Sequence, residues 1–150
     1  MLSAVSDTKL DHLKHVMLFS RSSHRELEFL ASQTDEVEAP AGAVLIRQGQ
    51  PNDTFYMLLD GEADVEVDGS HRRIVSAGDF FGEISMLDRG PATATVTLKT
   101  PAKLMVMSHA QFRDAIKSND HLLTVVLTAV AERLRATSTP AHDAAISGPA

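Results

Sequence analysis

Residues 78–87, with the sequence GDFFGEISML, are the stretch of this chain that says most about its fold. Glycines flank an aromatic pair, and Glu83 then opens a segment predicted to form a short helical turn. Gly82 would allow backbone N–H groups to approach a ligand closely. The start of the helix would add unsatisfied N–H groups and the positive end of a dipole. The stretch therefore predicts a cradle for an anion.

Glu83 places a second chemical requirement on the ligand. Its carboxylate would repel a phosphate beside it, whereas a neutral hydroxyl group would donate a hydrogen bond to it. The ligand that suits both the cradle and Glu83 therefore combines an anionic group with a hydroxyl, such as that of a sugar.

The region around the cradle, from Thr34 to Met107, has the pattern of an all-β roll or barrel, in which short β-rich runs alternate with Gly, Pro, Asn and Asp. The predicted strands are Glu36–Ala39, Ala43–Arg47, Thr54–Leu59, Ala63–Val67, Arg73–Ser76, Ala94–Leu98 and Lys103–Met107. Positive φ or a tight reversal is expected at Gly42, Gly49, Gly61, Gly69 and Gly78. The buried aromatic and sulfur-containing side chains of the roll are predicted to be Phe55, Tyr56, Met57, Phe80, Phe81, Met86, Met105 and Met107.

One hairpin is predicted in detail. Apolar and acidic residues alternate along Ala63–Val67, which indicates a strand with one buried face. Asp68-Gly69 predicts the turn that leads into a returning strand. The compact basic run His71–Arg73 is interpreted as a solvated hairpin tip, since the chain as a whole is acidic.

Helices are predicted on both sides of the roll. The first covers residues 7–18, with an apolar stripe formed by Leu10, Leu13, Val16 and Met17. The second begins at a capping box of Ser23 and Glu26, ends at Ser32-Gln33, and buries Leu27 and Leu30. Ser108 caps a third helix that carries Phe112, Ala115 and Ile116, and Asn119 or Asp120 caps a fourth, His121–Ala136.

The fourth helix is apolar on more than one side. Its apolar residues are Leu122, Leu123, Val125, Val126, Leu127, Val130 and Leu134. Either one face packs on the roll and another meets a second subunit, or both faces are buried within the chain. The pattern leaves these two alternatives open.

Length, charge and composition exclude several classes. The 150 residues suit one domain, predicted at residues 1–136, followed by a polar tail at residues 137–150. A net charge of −6 argues against a nucleic-acid surface. The chain contains no cysteine and no long apolar run, so we expect a cytoplasmic protein without disulfides that does not span a membrane.

Two separated motifs resemble a known family. Residues 81–87, FGEISML, followed by residues 90–96, GPATATV, are similar to the phosphate-binding cassette of cyclic nucleotide-binding domains. Such domains occur in bacterial catabolite activator proteins and in the regulatory subunits of protein kinase A. Ile46, Gln48-Gly49, Tyr56 and Gly61 match the family's earlier pattern, and the similarity runs from Leu10 to Leu134. The resemblance implies a mainly β fold, an antiparallel jelly-roll-like β-roll with N-terminal helices and a C-terminal helical pair.

The resemblance also implies roles for individual residues. Glu83 would bind the ribose 2′-hydroxyl, and the backbone N–H groups of Gly82, Ile84 and Ser85 would bind ribose or phosphate. Thr93 would donate to a phosphate oxygen or to the base. The family's phosphate-binding arginine follows the proline of the cassette, where this chain has Ala92. Arg89, three residues earlier, is the candidate to replace it.

The functional expectation is a regulatory sensor module, acting in signal transduction, that binds cAMP or cGMP weakly if at all and forms a homodimer through its last helix. The alternative is a degenerate roll that binds no nucleotide and acts as an interaction or dimerisation scaffold. We expect no enzymatic activity, because the chain has no Gly-x-Ser-x-Gly motif and Ser85 of the cassette has no histidine near it in sequence. We also expect no metal site. A site on strands needs two histidines on one face, and His71 is the only histidine between Val37 and Ser108.

Overall fold

The computed structural model describes residues 7–14, 16, 19 and 22–140. Its helices are α1 (Asp7–Lys14), α2 (His24–Ser32), α3 (Glu83–Asp88), α4 (His109–Ser118) and α5 (Asp120–Pro140). Its strands are β1 (Asp35–Ala39), β2 (Val44–Ile46), β3 (Thr54–Asp60), β4 (Ala63–Val67), β5 (Ser70–Val75), β6 (Phe80–Phe81), β7 (Thr95–Leu98) and β8 (Ala102–Ser108). They form two four-stranded antiparallel sheets, in the orders β1-β8-β3-β6 and β2-β7-β4-β5. The predicted β-roll with flanking helices is confirmed.

Each of the seven predicted strands is present: Ala63–Val67 has the predicted ends, and the other six have shifted ends. The largest shift is at β5, which begins at Ser70 instead of Arg73. β6, which pairs with Tyr56 and Met57 of β3, was not predicted. Its two residues are too few to show a period, and the strand exists only because β3 lies beside it.

The predicted hairpin between β4 and β5 is confirmed. Asp68 and Gly69 both have positive φ, 54° and 79°, as a two-residue turn of type I′ requires. The pairing of Val67 with Ser70 closes it. Positive φ is also confirmed at the other glycines predicted to need it, Gly42, Gly49, Gly61 and Gly78.

Capping boxes begin two of the helices. Ser23 and Glu26 exchange hydrogen bonds at the start of α2, and Ser108 and Gln111 do the same at the start of α4. α1 ends at Lys14, earlier than predicted. Leu10 and Val16 of its predicted stripe are buried, and the side chains of Leu13 and Met17 lie outside the described residues.

The apolar core has two parts. One lies between the helices and the sheet of β3 and β8, where the ring of Phe55 contacts those of Phe80 and Phe112. The other fills the interior of the roll and contains Phe81, which stacks on the half-buried Tyr56. The methionines predicted to be core residues, Met57, Met86, Met105 and Met107, are all buried. Phe80 and Phe81, where the chain enters the cassette, are therefore held between both parts.

The buried residue Asn119 immediately precedes α5. The Asn119 side chain accepts a hydrogen bond from the N–H group of His121 and donates one to Ser22 Oγ at 2.9 Å. The helix continues to Pro140, beyond the predicted end at Ala136, so residues 137–140 of the predicted tail are helical. Residues 141–150, the rest of the predicted tail, lie outside the described residues.

The two sides of α5 differ. Leu122 and Val126 are buried against the helical part of the core, whereas Leu123, Leu127 and Leu134 are 38%, 49% and 66% exposed. Burial of every apolar face within the chain is therefore wrong for the described residues of α5. Nowhere in the described part of the chain is a helix both long enough and apolar enough to span a membrane.

Candidate ligand-binding site

A pocket lies between the cassette and the inner face of the roll. Its cavity volume is about 70 Å³, smaller than the usual range of small-molecule sites, and it is partly open to solvent. The lining residues come from β2, β4, β5, β7, the cassette and the connection between β2 and β3: Ile46, Asn52, Val65, Arg73, Phe81, Gly82, Glu83, Ile84, Ser85, Ala92, Thr93, Ala94 and Val96. Of the sequence-predicted site residues, all but Arg89 meet here.

Gly82 is the point where the cassette passes closest to β3. Its φ is 90°, and a Cβ atom at this position would lie 2.7 Å from the carbonyl oxygen of Thr54 and 3.3 Å from Nδ2 of Asn52. Both the conformation and the space therefore require glycine. This close approach places the first turn of α3 at the edge of the pocket.

The first turn of α3 leaves backbone donors available. In the described part of the chain, the N–H groups of residues 83–85 form no hydrogen bond with another segment. The first N–H groups of a helix have no partner within the helix either. Two of the three amides predicted to form the anion cradle, those of Ile84 and Ser85, are therefore not used by the protein itself.

Glu83 is joined to the C-terminal helix. The residue is 5% exposed, and its Oε2 accepts a hydrogen bond from Nη1 of Arg133 at 2.7 Å. Nη2 of Arg133 donates to the carbonyl oxygen of Phe80 at 2.9 Å, and the guanidinium lies 4.9 Å from the centre of the Phe80 ring. A single side chain of α5 thus makes three contacts, one with the cassette and two with Phe80, the residue directly before it.

Sequence reasoning missed Arg133, although a signal was present. The residues of α5 that pack on the core include Leu122, Val126 and Ala129. Position 133 continues that series at helical spacing. An arginine on a core-facing stripe needs an acidic or carbonyl partner, and Glu83 is the carboxylate already assigned to the site.

Arg73 was also missed, and its predicted environment was wrong. His71 and Arg72 are exposed, as a solvated hairpin tip should be, but Arg73 is half-buried and lines the pocket. Side chains alternate along a strand, so Arg73 shares a face of β5 with Val75, which is fully buried. That two-residue spacing was the signal that could have placed it.

The charges around Arg73 act in opposite directions. Burial lowers the pKa of its guanidinium from the ordinary value, and the positive charge of Arg133 lowers it further. The carboxylates of Glu83 and Asp79 raise the same pKa. The pocket therefore contains a cation held near both an acidic pair and a second cation.

Ala92 and Thr93 reach the pocket, whereas Arg89 does not. Ala92 is 7% exposed, and its backbone is held by the turn after β2, donating to Gln50 O and accepting from the N–H group of Gly49. Thr93 is exposed beside it. Nη1 of Arg89 lies 3.2 Å from Oδ1 of Asp53 in an exposed ion pair outside the pocket lining.

Comparison with known proteins assigns the chain to a family. Residues 36–119 match the family described as "Cyclic nucleotide-binding domain". The chain is 35% identical over 103 residues to a cAMP-dependent protein kinase regulatory subunit of Emericella nidulans, covering 67% of this chain and 25% of that protein. It is 29% identical over 114 residues to a CRP-like cAMP-activated global transcriptional regulator of Mycobacterium tuberculosis, covering 73% of this chain and 51% of that protein.

Solved structures with a similar fold include a catabolite activator protein. The structure of the Thermus thermophilus catabolite activator protein superposes with a TM-score of 0.73 at 21% identity, covering 81% of this chain and 60% of that chain. The chain spans about a quarter to a half of the length of the curated relatives it matches. Because the family's match covers more than half of the sequence, the chain belongs to the cyclic nucleotide-binding domain family.

Proposed function

We propose that the chain is a regulatory sensor module that binds a cyclic nucleotide, cAMP or cGMP, in the cassette pocket and reports occupancy through α5. The observation that carries this proposal is the hydrogen-bonded pair of Glu83 and Arg133, which couples a pocket-lining carboxylate to the last helix. A cytoplasmic regulatory role without enzymatic activity is part of the same proposal.

The proposed binding mode follows from the groups that line the pocket. The available N–H groups of residues 83–85 suit the cyclic phosphate, and Glu83 suits the ribose 2′-hydroxyl. Thr93 adds a hydroxyl donor at the rim. Ala92 supplies no cation, and loss of one partner from a buried charge pair costs about 2–5 kcal/mol. Binding is therefore weaker than in a pocket with an arginine at position 92.

Arg133 couples the position of α5 to the binding of a ligand in the pocket. An isolated Glu83 carboxylate would repel the phosphate of the ligand, whereas a Glu83 paired with Arg133 is neutralised. A carboxylate has lone pairs for more than one donor, so Glu83 serves the ribose hydroxyl and Arg133 together. The ligand then favours the state in which α5 is docked, and this differential affinity is what a switch requires.

Calorimetric titration of the full chain with cAMP and with cGMP, up to millimolar concentration, tests binding. Hydrogen exchange of α5 with and without nucleotide tests whether α5 responds to occupancy of the pocket. We expect heat with at least one nucleotide and slower exchange of the amides of residues 122–134 in its presence. Binding with unchanged exchange would overturn the role of α5, and no heat with either nucleotide would overturn the sensor.

A second candidate function is a scaffold that dimerises and binds no nucleotide. The absence of a cation at Ala92 favours it, as does the exposed apolar side of α5 formed by Leu123, Leu127 and Leu134. Dimerisation through α5 is compatible with both functions. The same titration separates them, because the scaffold predicts no heat with either nucleotide.

A further inference from the structure

We propose that Arg73 of β5 provides the positive charge that binds the phosphate of the ligand, in the role left open by Ala92. This inference rests on the proposed function, because it concerns the ligand of the same pocket. Arg73 lies outside the cassette and lines the pocket from strand β5.

The strand pairing directs Arg73 inward. It is paired with Val65 of β4, and both residues line the pocket. The register shifts next to this pair, since Glu66 pairs with His71 and Arg72 has no opposite residue. A bulge of this kind re-aims a side chain, and here it leaves Arg72 exposed while Arg73 keeps the inward face that it shares with Val75.

Arg73 is a pocket-lining charge without a direct partner, although the carboxylates of Glu83 and Asp79 act on it from beyond ion-pair distance. Among the described residues that line it, Arg73 and Glu83 are the charged ones, and Glu83 is paired with Arg133. No hydrogen bond or ion pair to Arg73 occurs within the described part of the chain. Its nitrogens retain contact with solvent, because no buried polar side-chain atom in that part lacks a partner. The pocket therefore presents one unpaired positive charge to a ligand.

An anion at this point would relieve two unfavourable terms. Burial and the charge of Arg133 both act against the protonated guanidinium of Arg73 and lower its pKa. A bound phosphate would offset each of them and accept hydrogen bonds from the guanidinium, whose fork of donors matches phosphate geometry. The other nearby cations are placed elsewhere: Arg89 is paired with Asp53, and Arg72 is exposed.

If Arg73 binds the phosphate, its charge should matter only for ligands that carry a phosphate. Cyclic AMP and adenosine share the base and the 2′-hydroxyl, but only cAMP carries the phosphate. Removal of the Arg73 charge should therefore weaken cAMP binding and leave adenosine binding unchanged. Charge-assisted hydrogen bonds of this kind correspond to roughly ten- to hundredfold in affinity.

The test is calorimetric titration of the full chain and of Arg73→Met with cAMP and with adenosine. Arg72→Met is the matched control, because it removes the same charge from the neighbouring exposed position. We expect cAMP affinity to fall ten- to hundredfold in Arg73→Met, to stay constant in Arg72→Met, and adenosine affinity to be the same in all three. The salt dependence of cAMP binding should also be weaker in Arg73→Met.

Equal cAMP affinity in the wild type and Arg73→Met would overturn the assignment of Arg73 and leave the proposed function standing. Absence of binding by the wild type would overturn both. If Arg73→Met does not fold, Arg73→Gln takes its place with the same expected result. A third measurement needs no variant: the side-chain Nε–Hε resonance of Arg73 should shift on addition of cAMP and not on addition of adenosine, and the absence of a cAMP-specific shift would also overturn the assignment.

Discussion

Nη1 of Arg133 lies 2.7 Å from Oε2 of Glu83, so that the last helix is bonded to the most buried charged side chain of the cassette. The pair is unequal: the side chain of Arg133 is 27% exposed and that of Glu83 is 6% exposed. Removal of the arginine would leave a buried carboxylate without its partner, which costs more than the pair contributes. The contact between Glu83 and Arg133 therefore contributes to stability and also belongs to the proposed ligand-binding site.

Substitution of Arg133 should destabilise the protein. We expect Arg133→Met to lower the free energy of unfolding by about 1–3 kcal/mol, because Glu83 and the carbonyl oxygen of Phe80 lose their donors. Urea unfolding followed by circular dichroism measures the change. Arg113→Met, at an exposed position of α4, is the control and should stay within about 0.5 kcal/mol of the wild type. Equal stability of the two variants would contradict the role given to this pair.

Gly82→Ala should be more destabilising than Gly49→Ala. Both glycines have similar positive φ, 90° and 84°, so both variants carry a conformational cost of about 1–2 kcal/mol. Only at Gly82 would the new Cβ atom meet a backbone oxygen, at 2.7 Å, whereas no atom lies within 4 Å at Gly49. Thermal unfolding of the two variants should separate them by several degrees. Indistinguishable midpoints would mean that the cassette does not need the close approach to Thr54.

Ala92→Arg should strengthen the binding of cAMP. The backbone of Ala92 is held by Gln50 and Gly49, so a longer side chain would start from a fixed point on the pocket wall. A second cation there should raise the affinity by roughly tenfold or more. Calorimetric titration measures it, with Ala110→Arg on the exposed side of α4 as a control for net charge. If cAMP affinity rises in both variants, or in neither, the expected position of the phosphate is wrong.

A polar residue on the exposed apolar side of α5 should prevent self-association. The side chains of Leu123, Leu127 and Leu134 form this side, and Leu127 lies at its centre. We expect the wild type to sediment as a dimer at micromolar concentration and Leu127→Glu to sediment as a monomer, because a charge is costly in an apolar interface. Thr128→Glu, an exposed neighbour outside this stripe, should remain dimeric. A monomeric wild type would remove the dimer from the proposed function.

Much of the fold followed from local patterns. The alternation along Ala63–Val67, the Asp68-Gly69 turn and the capping boxes at Ser23 and Ser108 each involve residues within a few positions of one another. Such patterns report on backbone conformation directly, which is why they could be read without coordinates. β6 escaped prediction because its strand character comes from pairing with β3.

The candidate site was predictable in its cassette and not in its charges. Gly82, Glu83, Ile84, Ser85, Ala92 and Thr93 were found from motif residues and do line one pocket. Arg89 was expected to join them, but its side chain is paired with Asp53. Its position in sequence, three residues from Ala92, carried no information about the direction of its side chain, because Arg89 has a φ of 61° at the end of α3.

Local sequence was thus enough to predict the β-roll, its turns and the position of the cassette, since periodicity and turn chemistry act over short distances. The electrostatics of the pocket came from packing alone. Arg133 and Glu83 are 50 residues apart in sequence. Arg73 lies on β5, next to a bulge in its pairing with β4. No short-range pattern encodes the meeting of such charges, because it depends on how the helix and the two sheets are placed against one another.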